Sequence, residues 1–361
     1  MKPLLDEIRH NRLLWLLAFV PAVLVLERAK PDAHTLLFAL SVLAIVPLAA
    51  LLSRATEAVA SRTGDAVGGL LNATLGNLTE LVIAITALYA GQITLVKASI
   101  AGAIVANTLF MLGMSFLLGG LKHHVQEFNR AGARLQAGLL FLATVALLVP
   151  SAVSEADATG FTQTLSLALA VVLIVTYALG MLFSLWTHRE LFASVAHGDE
   201  GEAPWPVALA LATLAGVTLL VALVSHVFVA SVQQAAESFG MTPAFVGFVV
   251  VALVGGAAEM ASAFAGARKN RLDLSVGIAL GSAAQIALFV APVLVLLSYV
   301  VGPAPMDLRM GPGAVAAMLI AALTAALVTN SGRSAWFVGV LVLVVYLIFA
   351  MTLYLLPPGA G

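Results

Sequence analysis

Long apolar runs separated by short polar intervals dominate the chain. A first, shorter run covers residues 13–26. Ten more, at 35–53, 66–90, 97–120, 133–152, 161–187, 205–228, 241–267, 273–301, 311–330 and 333–356, are apolar enough for helices across about 30 Å of hydrocarbon. The pattern therefore predicts an all-α polytopic membrane protein with about eleven transmembrane helices. The first run resembles a signal-peptide core in length. Glu27-Arg28-Ala29-Lys30 follows it instead of a small-residue cleavage site, so an uncleaved helix is expected. Within 66–90, Gly69, Asn72, Gly76, Glu80, Ala84, Ala87 and Gly91 recur at spacings of three and four and form one small-and-polar stripe. Leu71, Leu75, Leu78, Val82 and Ile85 form an apolar stripe on another side. Small residues let helices approach closely, so the glycines alone would read as packing.

Composition agrees with the pattern. Of 361 residues 61% are hydrophobic and 10% charged, against about 25% charged in a soluble domain. There is no room for a separate soluble domain. A net charge of −1 without a basic patch offers nothing to nucleic acid, and the absence of Cys excludes disulfides, thiolate metal sites and cysteine nucleophiles. With the N-terminus in the cytoplasm, the outer segments hold Arg28, Lys30, Lys97 and Arg309, and the other thirteen of the 17 Lys and Arg face the cytoplasm. That bias predicts a cytoplasmic N-terminus. A bacterial inner membrane is the expected location.

Glu80 is the anomaly, because a charge at the centre of a membrane helix costs about 2.5–3.5 kcal/mol on insertion scales. An internal repeat accounts for it. Shifted by 179 residues, "ATLGNLTELVIAITA" meets "VALVGGAAEMASAFA", with Gly76 on Gly255 and Glu80 on Glu259, and Gly102 falls on Gly281 in the next helix. Gly255, Glu259, Ser262 and Gly266 repeat the small-and-polar stripe. Five helices separate the copies, so the second is expected upside down. Inverted repeats place a substrate site near the bilayer midplane, where the copies face each other. The expected division is 1–34 for the N-terminal segment and first helix, 35–187 for the first five-helix repeat, 188–204 for an acidic linker and 205–361 for the inverted second repeat.

The stretches "GLLNATLGNLTELVIAI" and "GGAAEMASAF" resemble the two signature helices of the cation/proton exchanger family, within the calcium/cation antiporter superfamily. The family reads approximately Gly-Asn-x-x-Glu-Leu in its first repeat and Gly-Asn-Ala-Ala-Glu in its second, and the resemblance spans nearly the whole chain. It implies exchange of cytosolic Ca²⁺ for protons, with Glu80 and Glu259 as cation ligands and no cofactor. Two departures bear on cation identity and affinity. Gly256 stands where the family has Asn. The family tends to carry an acid in the helix before each signature helix; Glu57 fits the first position, but Gln233 occupies the second.

Two carboxylates facing one another in a low-dielectric cavity cannot both stay charged without a partner. One divalent cation or two protons neutralise the pair, and the exclusion of one state by the other is a physical basis for exchange. No His or Cys lies near either motif, which favours a hard cation such as Ca²⁺, with Mn²⁺ possible and Mg²⁺ fitting a flexible oxygen cage poorly. Ca²⁺ takes 6–8 oxygens. The candidates beyond the glutamates are Asn77, backbone carbonyls around Gly76-Asn77 and Gly255-Gly256, and the amides of Asn107 and Gln285, each of which could equally bond a neighbouring helix. Asn72 is expected to bond a neighbouring helix and His226 to be buried. Asp199, Glu200 and Glu202 read as a solvated linker, His123-His124 as a loop, and Glu155 and Asp157 as weak outer attractors of cations. Glu57 is a further proton-coupling candidate. The alternatives are a proton exchanger with Na⁺ or K⁺ as a major substrate, a sodium-coupled calcium exchanger, a channel, or a membrane enzyme, for which no nucleophile or acidic cluster is visible. Oligomeric state is not legible.

Overall fold

The computed structural model describes residues 4, 7–9, 11–63, 65–153, 160–188 and 205–355. Glu155, Asp157, Asp199, Glu200 and Glu202 lie outside them. A 3₁₀ turn, Arg12–Ala18, leads into helix α1 (Phe19–Ala29). Pro21, which has no N–H to give to the preceding turn, sits just past the change of helix type. There follow α2 (His34–Ala60), α3 (Asp65–Leu75), α4 (Leu78–Tyr89) and α5 (Ile93–His123). A short strand, β1 (Val125–Glu127), precedes α6 (Arg130–Ala152) and α7 (Phe161–Thr187). The second half holds α8 (Val207–Ser238), α9 (Pro243–Gly255), α10 (Ala257–Arg268), α11 (Leu272–Val301) and α12 (Pro312–Thr329). Strand β2 (Arg333–Ala335) and α13 (Trp336–Leu355) end the described chain. The strands pair antiparallel, Gln126 opposite Ser334, at what is termed below the ribbon end.

Every expected apolar run carries helix, but the count of eleven spans is not reproduced. Among the described residues eight helices are long and apolar enough to cross a membrane, or nine if α9 and α10 count as one span bent by 59°. The run 66–90 is not one helix. It breaks at Gly76-Asn77 into pieces of 11 and 12 residues, each about 18 Å or less in length. The second half breaks at the corresponding place, Gly256. Hydropathy could not show this, because apolar residues continue across both breaks.

The buried centre is α5, 83% buried over its apolar window, and α11, 61% buried, while α7 and α13 expose most of their surfaces. Glycine permits this density. A Cβ on Gly102 would stand 2.2 Å from the Phe248 carbonyl oxygen, and one on Gly339 would stand 2.5 Å from that of Gly113. Backbones touch directly at both crossings, which any side chain would force apart. Helix α2 lies along α8, with Phe38 stacked on Phe228 at 5.3 Å between ring centroids and Thr35 Oγ1 3.0 Å from Ser238 Oγ. The two central helices also share a distortion. Ala106–Met111 of α5 and Ile286–Val290 of α11 are π-helical, at the same 179-residue offset as the glutamates. Such bulges loosen regular backbone bonding and occur often at functional sites.

Candidate functional site

Each glutamate sits three residues past a helix break. Asn77 precedes α4 with φ −97° and ψ 31°, and Gly256 precedes α10 with φ −78° and ψ 6°. These ψ values end one helix and start another, so Glu80 and Glu259 each occupy the first turn of a half-helix. A carboxylate is favoured there, where unpaired N–H groups and the helix dipole are positive. The Glu80 carboxylate accepts a hydrogen bond from its own backbone N–H. The preceding half-helices α3 and α9 end at the same breaks, and helix C-termini leave carbonyl oxygens without intrahelical partners. The breaks thus bring carboxylates and helix-end carbonyls together from both halves of the chain, with the Asn77 and Gly256 carbonyls themselves accepting from Leu81 N at 3.0 Å and Met260 N at 2.9 Å.

The two carboxylates are neighbours that act on one another electrostatically. Both glutamates are half-buried. The Glu80 side chain lies over Gly255 in the other repeat, where a Cβ would come within 3.0 Å of Glu80 Cγ. This is why glycine suits position 255, whose backbone is ordinary helix. Gly76 faces Gln285, whose Oε1 would be 3.7 Å from a Cβ there. Asn107 Oδ1 would be 3.4 Å from a Cβ on Gly256. Gly76, Gly255, Gly256, Asn77, Asn107, Gln285, Glu80 and Glu259 therefore converge on one place. Among the described residues, no group of three or more acidic or histidine side chains forms a metal cluster.

Ser282 joins them, and sequence reasoning missed it. Its hydroxyl accepts from Asn107 Nδ2 at 2.8 Å, and its single proton is within reach of Asn77 Oδ1, at 2.8 Å, and of the Glu259 carboxylate. The available signal was its place one residue after Gly281 and three before Gln285, on the same face of α11. Asn77, although it begins α4, makes no capping bond with its side chain and reaches across to Ser282 instead. Asn107 therefore does bond a neighbouring helix, as one of its two readings had it, and its oxygen is left over. Asn77 Nδ2, Asn107 Oδ1 and Glu259 Oε2 are all buried without a hydrogen-bond partner. Unpaired buried polar atoms are costly, about 1–3 kcal/mol each, and three of them at one place could be satisfied together by a polar ligand. The oxygens among them, with the Glu80 carboxylate and the break carbonyls, suit a hard cation.

Other expected residues lie elsewhere. Glu57 is about half exposed near the end of α2, with Oε1 3.5 Å from Ser53 Oγ and Oε2 3.8 Å from Arg54 Nη1. Gln233 is exposed. Two expectations fail. Asn72 is exposed rather than bonded to a neighbouring helix. His226 is exposed on α8 rather than buried, and Ser262 is exposed although Gly266 of the same stripe is buried.

A family described as sodium/calcium exchanger protein matches residues 33–186 and 209–355. A protein from Aphanothece halophytica named Ca²⁺/H⁺ antiporter is 40% identical, covering 95% of this chain and 96% of its own. The Ca²⁺/H⁺ antiporter ChaA of Bacillus subtilis is 40% identical over 89% of this chain and 92% of its own. Vacuolar cation/proton exchanger 3 of Arabidopsis thaliana is 35% identical over 96% and 79%. Among solved structures, native YfkE superposes with a TM-score of 0.82 at 36% identity, covering 94% of this chain and 98% of its own.

Proposed function

Because this chain belongs to the sodium/calcium exchanger protein family, we propose that it is a secondary antiporter exchanging cytosolic Ca²⁺ for protons at the site of Glu80 and Glu259. The observation that carries this is the meeting of those two carboxylates from equivalent positions of the two halves, among buried polar atoms without partners. The names of the relatives, Ca²⁺/H⁺ antiporters with near full-length coverage on both sides, support the same substrates. Transport rather than catalysis is the activity.

In this reading Ca²⁺ is held by the two carboxylates, Asn107 Oδ1, the carbonyls at Gly76-Asn77 and Gly255-Gly256, and Gln285, with water completing the shell. Ser282 and Asn77 orient Asn107. Two protons replace the ion, one on each carboxylate, so that the site is close to neutral in both states and can turn from one face of the membrane to the other. The turning unit is a pair of inverted five-helix repeats, 35–187 and 205–361, joined by the linker 188–204 and preceded by the first helix. Glu57, outside the site, is at most a relay on the cytoplasmic side. The ribbon end faces the cytoplasm, as does the N-terminus, and the membrane is the bacterial inner membrane.

Flux in proteoliposomes with an imposed pH gradient, supplying Ca²⁺, Mn²⁺, Na⁺ and K⁺ in turn, tests the proposal. Gradient-driven Ca²⁺ uptake is expected. Gradient-driven Na⁺ or K⁺ flux without Ca²⁺ flux would replace the substrate, and conduction indifferent to the gradient would indicate a channel.

A further inference from the structure

The half-helix that carries Glu259 is gripped at its far end. Lys122 Nζ donates to the Arg268 carbonyl at 2.9 Å, and His123 Nε2 lies 3.0 Å from the same oxygen. Gln126 Nε2 donates to the Ala267 carbonyl and to Asn270 Oδ1, both at 2.9 Å. These are the last two carbonyls of α10, which have no partner within the helix; that of Ala267 also accepts from Asn270 N at 3.2 Å. A cationic lysine there also suits the negative end of the helix dipole. Gln126 is 2% exposed, and its amide fits only because residue 119 is glycine, where a Cβ would fall 1.8 Å from Gln126 Oε1.

The grip is itself anchored. Residues 125–127 form the ribbon with 333–335, Phe128 N donates to the Gly332 carbonyl at 3.0 Å, and Asn129 N donates to Asp273 at the start of α11. Segment 122–129 thus holds both sides of the turn between α10 and α11. The matching end of α4 has the same backbone closure, Ala90, Gly91 and Gln92 bonding there as Lys269, Asn270 and Arg271 do at the end of α10, but it meets the loop after α11 through apolar contact, Leu88 against Gly302 and Gly91 against Pro303.

The break at Gly256 makes this grip consequential. In a continuous span α9 would set the axis of α10; across a 59° bend it does not. A 12-residue half-helix is about 18 Å long, so a tilt of about 3° at one end moves the other by about 1 Å. Metal–ligand distances tolerate about 0.2 Å. We infer that Lys122, His123 and Gln126 are positioning residues for Glu259, fixing its carboxylate at the ion site by holding the opposite end of its half-helix. This rests on the reading of Glu259 as a cation ligand.

The test compares the intact protein in proteoliposomes with Lys122→Met/His123→Leu, with Gln126→Leu and with Lys122→Arg, measuring half-saturating Ca²⁺, maximal rate and thermal midpoint. The double variant alters partly solvated side chains and is expected to fold even if Gln126→Leu does not. Loss of these bonds should raise half-saturating Ca²⁺ by roughly threefold to tenfold with the maximal rate largely kept. Lys122→Arg, which retains the donor, should behave as the parent. Unchanged half-saturation would overturn the inference, whether the thermal midpoint holds or falls, since a plain helix cap would change stability alone. Glu259→Gln, measured alongside, separates this outcome from failure of the site itself: normal transport by that variant would refute the ligand assignment whatever the grip variants do.

Discussion

Glu80→Gln and Glu259→Gln should each abolish proton-coupled Ca²⁺ transport while leaving the protein folded. Glutamine keeps the shape and the first-turn position of either side chain but can neither balance the ion's charge nor carry a proton. Removing one member of a buried charged set costs about 3–5 kcal/mol, a loss of roughly 100-fold or more in binding. The paired architecture makes the two losses comparable, since each glutamate holds the same place in its half of the chain. Uptake at the parent rate in either variant, with expression and melting unchanged, would remove that residue from the site.

Gly255→Val should be the most damaging change that leaves every polar group in place. A Cβ at 255 already comes within 3.0 Å of Glu80 Cγ, and the two methyls of valine would extend that conflict along the Glu80 side chain. A displacement of about 1 Å at a reacting centre can cost on the order of 100-fold, so Ca²⁺ uptake should fall by at least tenfold. Gly255→Ala should fall less, because the flexible glutamate can retreat a few tenths of an ångström. Gly256→Asn tests the neighbouring residue. Its Cβ would stand 3.3 Å from the Ala252 carbonyl oxygen and 3.4 Å from Asn107 Oδ1, so the added amide should crowd Asn107 and weaken Ca²⁺ binding by roughly threefold. Tighter binding would instead mean that the new oxygen joins the ion. A Gly255→Val protein that transports at the parent rate would show that Glu80 does not need the space over Gly255.

Much of this was legible in the sequence because hydropathy and repetition are both linear signals. Apolar runs located the helices, and the 179-residue offset picked out Glu80 and Glu259, which the structure places close enough to act on one another electrostatically. The helix breaks were not legible as breaks. Glycine and asparagine at 76-77, or two glycines at 255-256, read equally well as packing within one apolar run, and only backbone ψ angles separate the cases. Ser282 was missed because a serine in a membrane helix usually bonds its own preceding carbonyl, and its role depends on which helices cross at that height. Asn72 and His226 failed for the converse reason. Polarity suggests burial with a partner, but which face a helix turns inward is decided by its neighbours. The grip on α10 was out of reach as well, since its hydrogen bonds join residues 141 to 146 apart in the chain.

The central claim is that Ca²⁺ and protons compete for one pair of carboxylates. Calorimetry of Ca²⁺ binding to the purified protein, repeated in buffers of different ionisation enthalpy across a range of pH, tests it most directly. The account predicts that binding weakens as pH falls and that, over that range, the observed heat varies with the buffer because protons leave as the ion enters. Heat independent of the buffer where binding weakens would contradict it.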